Sequence, residues 1–443
     1  MRTRYWLIAI VLAHLAIGIA YAACTPYRTP GLVMGKILGD IGAPDERAHV
    51  GYVAYIASGR GLPVLHVHRA EAGYEFHQPP LFYFLEAGWS KLLRIDNLQS
   101  PHAGLPLRAL NVLFGCGTAV GAFFIAWWGL GRRDVGLFAA TFCALLPMEC
   151  AVSGAISNDP LLIVLSTWVV AACVRVATRG WDVKRAALIG ALAGLALLTK
   201  SSAIALLPAI VAAWWVAPER RLNGRWVVGA IALALLIAAP WWIRNLAVYG
   251  DPLGQRIFLQ VFKPDVDPGS LLTHPHALGR WFLILAKMTG CSFVGQFGYM
   301  HILLPTAVYV AAWAVLGWLA YRWARASRAW NWGNARPMHL VCAVEALAVL
   351  ATYIAFNLEY VQPQARYFFP ALGPISVALA IGLVDWLGPR ARTGAAVFAV
   401  GLFAADACGL IVAKAVFRQN ISDYAVIRAA RARVPEPPME GNH

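Results

Sequence analysis

Charge is what this 443-residue chain has little of. Only 13% of its residues are charged, against 60% hydrophobic, and it carries 18 Trp with a mean hydropathy of +0.60. That composition excludes a water-soluble globular protein. Acidic residues are the scarcer sign, 22 against 37 Lys and Arg. The eight cysteines form no CxxC and no other metal spacing, which removes the usual zinc and thiol-redox frameworks. Cys24, Cys150 and Cys291 fall near one side of the membrane, with nothing in their spacing to support a disulfide. There is no internal repeat, no P-loop and no GxGxxG in a strand–turn–helix setting, so neither an ATP-driven pump nor a nucleotide-dependent enzyme is indicated.

What the sequence does have is long apolar runs. Tyr5–Cys24 is uncharged over the ~20 residues that cross a bilayer core. Similar runs recur at Leu110–Leu130, Val135–Cys150, Leu161–Val174, Ala186–Leu198, Ala203–Ala217, Trp226–Ile243, Ile302–Tyr321, Leu340–Phe356, Tyr367–Leu387 and Gly394–Val412. The expectation is an all-α, polytopic integral membrane protein with about eleven transmembrane helices. The first run is longer than the ~7–15-residue core of a signal peptide, so it reads as a retained span and not as a lipoprotein leader cleaved at Cys24.

The net charge of +15 invites a nucleic-acid partner, and its distribution removes one. Basic residues collect in alternate loops: Arg2/Arg4, Arg132/Arg133, Arg179/Lys184/Arg185, Arg220/Arg221/Arg225, Arg322/Arg325/Arg328/Arg336 and Arg390/Arg392. The intervening Met148–Pro160 has none. This asymmetry is the positive-inside pattern, placing the amino terminus in the cytoplasm and the loop around Asp45 on the opposite face.

That loop, Gly42–Tyr83, concentrates the ionisable residues: Asp45-Glu46, His49, His66, His68 and His77, then the Pro79-Pro80 restart. Pro44 can open a helix running to about Ser58, with Asp45, His49 and Tyr52 along one stripe. Beside a membrane, this helix and the aromatic-rich His77–Leu93 segment read as interfacial helices. A second acid lies in Ser157-Asn158-Asp159-Pro160. Each feature has a plain local explanation. Acids in a first turn suit the helix dipole, Asn-Asp-Pro starts helices well, and cations at span ends snorkel. The loop's acids and histidines leave a divalent metal open, but their spacings match no zinc set, and no cofactor is expected.

Several blocks, taken in order, resemble the GT-C superfamily of polyprenyl-phosphate-dependent glycosyltransferases, in the branch of the protein O-mannosyltransferases and aminoarabinose transferases. They are Pro44-Asp45-Glu46 with His49 and Tyr52; His77-Gln78-Pro79-Pro80-Leu81-Phe82-Tyr83; Asn158-Asp159-Pro160; Thr199-Lys200-Ser201; Trp242-Ile243-Arg244-Asn245; Ser292–Gly298; and Ala365-Arg366-Tyr367. The resemblance implies transfer of a sugar from a polyprenyl-phosphate donor to an acceptor hydroxyl at the outer face, by inverting displacement. Asp45 is then the base, Asp159 the second acid and Glu46 a supporting one. His49, Tyr52, His77, Gln78, Tyr83, Asn158, Lys200, Arg244 and Arg366 are the substrate-binding candidates. The sequence departs from the aminoarabinose-transferase type at Gln78, where that type has a Lys, so phosphate neutralisation passes to other cations.

The organisation expected is one catalytic membrane domain over residues 1–416, with its acidic motif in the loop 25–107, and a short tail over 417–443 without a soluble domain. Arg244–His301 reads as a second outer segment, irregular with short helices. The implied partners are the lipid-linked donor, a glycan, lipid or protein acceptor, and membrane lipids. The implied location is a bacterial inner membrane with the active face toward the periplasm. The alternative is a transporter or flippase of a lipid-linked saccharide, which would keep its functional charges deep within the spans.

Overall fold

The computed structural model describes residues 2–67, 73–218, 222, 224–329 and 332–431. His68, Arg220, Arg221 and the tail beyond 431 lie outside these residues. The chain is almost wholly helical. It opens with α1 (Arg2–Cys24), followed by a hairpin of β1 (Gly31–Val33) and β2 (Lys36–Leu38) paired Val33 to Lys36. Met34 and Gly35 turn the hairpin, both at positive φ, the conformation a two-residue type I′ turn demands. Two helices of the first loop come next, α2 (Glu46–Ala57) and α3 (Leu81–Leu92).

The body then runs through α4 (Gly104–Leu130), α5 (Arg133–Ala144), α6 (Pro147–Ser153), α7 (Asp159–Arg179), α8 (Val183–Leu197), α9 (Leu206–Val216) and α10 (Gly224–Tyr249). Two short helices, α11 (Gln255–Val261) and α12 (Pro268–Thr273), lead to α13 (Pro275–Val294) and a second hairpin, β3 (Gln296–Phe297) with β4 (Ile302–Leu303). The last four are α14 (Thr306–Ala329), α15 (Trp332–Glu359), α16 (Leu372–Leu387) and α17 (Ala391–Arg431).

The apolar runs of the sequence fall largely on helical structure, but length and composition separate them. Among the described residues eight helices are long and apolar enough to cross a membrane, or nine if α5 and α6, bent by 63° at their break, count as one span. The 15-residue α8 is about 22 Å long at 1.5 Å per residue, short of a ~30 Å hydrocarbon core. The expected eleven is therefore not matched by helix length and composition. The structure also corrects the reading of Arg244–His301. This segment contains the 20-residue α13, whose apolar stretch is interrupted by Arg280 and Lys287 and so escapes a search for uncharged runs. Hydrogen bonds tie α13 to the end of α15 and to the turn that carries Arg366: Trp281 to the Asn357 carbonyl, Thr289 with Tyr353, and Ser292 accepting from the Ala365 N–H.

Close helix packing rests on small residues. A Cβ on Gly190 would meet the Ala230 carbonyl of α10 at 2.6 Å, and one on Gly382 would run into the Leu319 carbonyl of α14. At the α5–α6 break the freed Ala144 carbonyl accepts from His14 Nδ1 at 2.9 Å and from Cys150 Sγ at 3.2 Å, so the interrupted ladder leaves it satisfied. All eight cysteines are unpaired. A separate apolar cluster, with Tyr27, Val50, Tyr52, Val53, Phe82, Tyr83 and Leu107, clamps α2 and α3 onto α4. The first loop is thereby fixed as a rigid platform above the helices.

Candidate active site

The platform is set from below by one buried ion pair. Arg108, in the first turns of α4, grips Glu46 through Nε at 2.8 Å and Nη2 at 2.5 Å, and both side chains are 1% exposed. Its remaining N–H groups hold the carbonyls of Ala22, Thr25 and Pro26, the chain that leads into the loop. Glu46 also accepts from the Ile156 N–H, 2.9 Å away, which ties the second loop to the first. Asp40 shapes the approach to α2 by accepting from the backbone N–H groups of Arg28, Thr29 and Gly42.

Asp45 then begins α2 with φ 64°, a left-handed conformation that short polar side chains tolerate, and its carboxylate makes no cap hydrogen bond to its own helix. Asn158, the residue before α7, likewise makes no side-chain cap, and the carboxylate of Asp159 turns outward from the helix start. Neither acid is spent on local helix chemistry. Both face one cavity of about 250 Å³, close to the lower bound of the ~300–1,000 Å³ typical of small-molecule sites.

The cavity's charges are cross-linked. Asp45 Oδ2 receives Arg366 Nη2 at 2.7 Å, and Asp159 Oδ1 receives Lys200 Nζ at 2.6 Å. Arg366 Nη1 lies 3.5 Å from Asp159 Oδ2, so one guanidinium spans both acids. Arg366 is delivered by the 3₁₀ turn Ala365–Ala371, in which Phe369 is fully buried. Tyr74 donates its hydroxyl to Asp45 Oδ1 at 2.9 Å. Lys200 and Arg366 each lie 5.0 Å from the centroid of the Tyr367 ring. Asp45 remains one third exposed, the most open of the four ionic groups.

Neutral groups complete the polar wall. Asn158 Nδ2 donates to Gln78 Oε1 at 3.3 Å, and Gln78 Nε2 donates to His77 Nε2 at 3.2 Å. His77 Nδ1 donates in turn to the Tyr74 carbonyl at 2.6 Å, which assigns its proton to Nδ1. His49 Nδ1 lies 2.9 Å from the Tyr83 hydroxyl. The rest of the lining is apolar and aromatic: Leu162, Ile163, Phe258, Phe262, Tyr353, Phe356, Tyr360 and Pro370. Phe258 and Phe262, on and just after α11, pack against the His77 ring.

Burial tends to raise the Asp45 carboxyl, but the Arg366 guanidinium outweighs it and holds the group below the usual carboxylate range. Burial lowers both histidines, His77 to about 4, so each is neutral at physiological pH. Burial would lower Lys200 too, and Asp159 reverses this, keeping the ammonium charged.

Of the residues singled out in the sequence, Asp45, His49, His77, Gln78, Asn158, Asp159, Lys200 and Arg366 line this cavity. Four do not. Glu46 is turned away and held by Arg108, so it belongs to the scaffold. Tyr52 and Tyr83 stack on each other 3.7 Å apart behind His49, in the platform's core. Arg244 donates to the Pro63 carbonyl and to Asn245 between the rings of Trp241 and Tyr249, fastening α10 to the loop. Tyr74, Glu75, Tyr367 and the aromatic wall were not anticipated. Tyr74 and Glu75 sit in the stretch just before His77 and fit no motif, while Tyr367 adjoins a residue already singled out. Among the described residues no three His, Cys, Asp or Glu side chains come together as a metal site.

Residues 77–243 match the family model for dolichyl-phosphate-mannose-protein mannosyltransferase. No curated protein matches the chain by sequence. Among solved structures, ArnT from Cupriavidus metallidurans, bound to undecaprenyl phosphate, superposes with a TM-score of 0.63 at 13% identity, over 98% of this chain and 81% of that one. The oligosaccharyltransferase AglB from Archaeoglobus fulgidus, in complex with an inhibitory peptide and a dolichol-phosphate, gives 0.51 at 14% identity. The match covers 93% of this chain and 56% of the archaeal one, so this chain spans little more than half its length.

Proposed function

We propose that this chain, a membrane protein of GT-C glycosyltransferase architecture, transfers a sugar from a polyprenyl-phosphate carrier to a hydroxyl of its acceptor at the outer face of the membrane. The observation that carries this reading is the shared guanidinium. Arg366 and Lys200 together present two cations beside two carboxylates in one cavity with an apolar wall. Cations there suit the phosphate of a lipid donor, and the apolar wall suits its hydrocarbon chain.

In the proposed reaction the acceptor hydroxyl attacks the anomeric carbon while Asp45 takes its proton. The bond from that carbon to the phosphate oxygen breaks, and the configuration inverts. The departing phosphate gains a second negative charge, which Lys200 and Arg366 meet, an electrostatic contribution fixed in place before the reaction begins. Asp159 positions both cations. Gln78 carries no charge and is already bonded on both sides, so it contributes shape and hydrogen bonding. The active face lies outside, in a bacterial inner membrane opening to the periplasm, and the acceptor is a glycan, lipid or protein. A transporter reading would turn to the buried acids Glu345 and Asp406, which lie within the long helices, but neither lines the site cavity.

Asp45→Asn tests the proposal. In lipid vesicles with a labelled polyprenyl-phosphate sugar, the variant should lose transfer by about 10²–10⁴-fold, the contribution of a general base, while remaining folded. Wild-type rates in the variant would refute the mechanism. Lipid translocation by a wild type that transfers no sugar would replace it with the transporter reading.

A further inference from the structure

Resting on the donor chemistry proposed above, we infer that Glu75 is a further substrate-binding residue: an uncharged carboxylic acid that donates its proton in a hydrogen bond to a phosphoryl oxygen of the carrier.

The first observation is charge matching. Asp45 and Asp159 are matched in the cavity by Arg366 and Lys200, two against two, and His49 and His77 are neutral. Glu75 also lines this cavity, is 7% exposed, and is a third carboxyl with no cation of its own among the described residues. Its Oε2 is buried without a hydrogen-bond partner among those residues. A buried ionised carboxylate in that position would be unsatisfied and would repel both Asp45 and an incoming phosphate.

The second observation is what surrounds it. Glu75 faces His49, Asp45, Lys200, Arg366, Tyr74 and Tyr83. Burial raises its pKa, with Asp45 adding to the shift and the cations opposing it. A protonated carboxyl supplies one strong donor, and a phosphoryl oxygen is the acceptor best suited to it. The side-chain amide of Gln78, which also lines the cavity, already donates to His77. Glu75 therefore offers an uncommitted donor in a site whose proposed ligand is an anion.

The experiment uses a polyprenyl methyl phosphodiester, a probe whose single charge does not change with pH, and the full chain in lipid nanodiscs. Wild-type affinity should fall by about tenfold as the pH rises into the alkaline range and Glu75 ionises. Glu75→Gln keeps a neutral donor of the same shape, so it should bind within about threefold of the wild type at neutral pH and lose the alkaline fall. Glu75→Ala should bind about tenfold more weakly at neutral pH and show no such fall. An alkaline fall that persists in Glu75→Gln, or wild-type affinity in Glu75→Ala, would overturn the inference. A wild type that never binds the diester removes the donor chemistry itself. A wild type that binds and transfers sugar while Glu75→Ala matches it removes Glu75 alone.

Discussion

A single guanidinium joined to two carboxylates makes Arg366 hard to replace. Lys keeps the charge but has one compact ammonium, which cannot reach Asp45 and Asp159 together as the planar fork does. Arg366→Lys should therefore lower the transfer rate by roughly 10²-fold, on the scale of losing one fixed electrostatic contact, as measured by initial rates with saturating donor. The depressed Asp45 carboxyl fixes the acid side of the pH profile. In its proposed role as base Asp45 must be ionised; its folded pKa lies below the ordinary ~3.9, so activity should hold down to about that pH before falling. Because burial keeps His49 and His77 neutral, no inflection is expected near the usual histidine value of ~6.5. A kcat/KM profile breaking there would contradict this reading. The sequence exposed Asp45, Asp159, Lys200 and Arg366 because each sits in a short polar block between apolar runs. It put Asp45 ahead of Glu46 yet kept both at the site, because the capture of Glu46 depends on Arg108, 62 residues away. Arg108 itself was a usable signal, since an Arg at the head of an apolar run calls for a buried acid.

At the scale of elements, the first loop is held by interactions that the chemistry leaves alone. Glu46→Gln strips Arg108 of its counter-charge deep in the protein and should destabilise the fold by about 3–5 kcal/mol, seen as a lower unfolding temperature in detergent. Asp45→Asn, at the one-third-exposed end of its pair and with Asp159 still beside Arg366, should lower that temperature far less. The contrast separates two adjacent acids by role. The aromatic wall belongs to this scale too. Phe258 on α11 packs 5.0 Å from the His77 ring centroid, and Phe258→Ala opens that side of the cavity. It should raise KM for the lipid donor about tenfold with a smaller change in kcat, as expected when an apolar contact made equally in ground and transition states is lost. The helix starts were legible, because Pro44 and Pro160 mark them. That neither acid caps its helix was not, since proximity in sequence favours the local partner and only the assembled bundle supplies Lys200 and Arg366.

The whole molecule follows from apolar runs divided by loops of alternating basicity, and that much of the fold was readable. Helix length was not. Short α8 and the broken α5–α6 pair owe their existence to neighbours that pack against them and satisfy their freed groups. Placing α13 depends on its bonds to Tyr353, Asn357 and Ala365, which no run of hydropathy reveals. The proposed orientation is checked with single cysteines in a cysteine-free background: Arg60→Cys should react with an impermeant thiol reagent added outside, and Arg133→Cys only after the membrane is opened. The pairing of Asp45 with Arg366 also bears on how the protein is made. Translation delivers the carboxylate 321 residues ahead of its guanidinium, so a nascent or prematurely terminated chain presents the acid without its counterpart. The proposed activity can arise only once the segment carrying Arg366 has been made, and two separately expressed fragments divided between the two residues must reassociate before either can work.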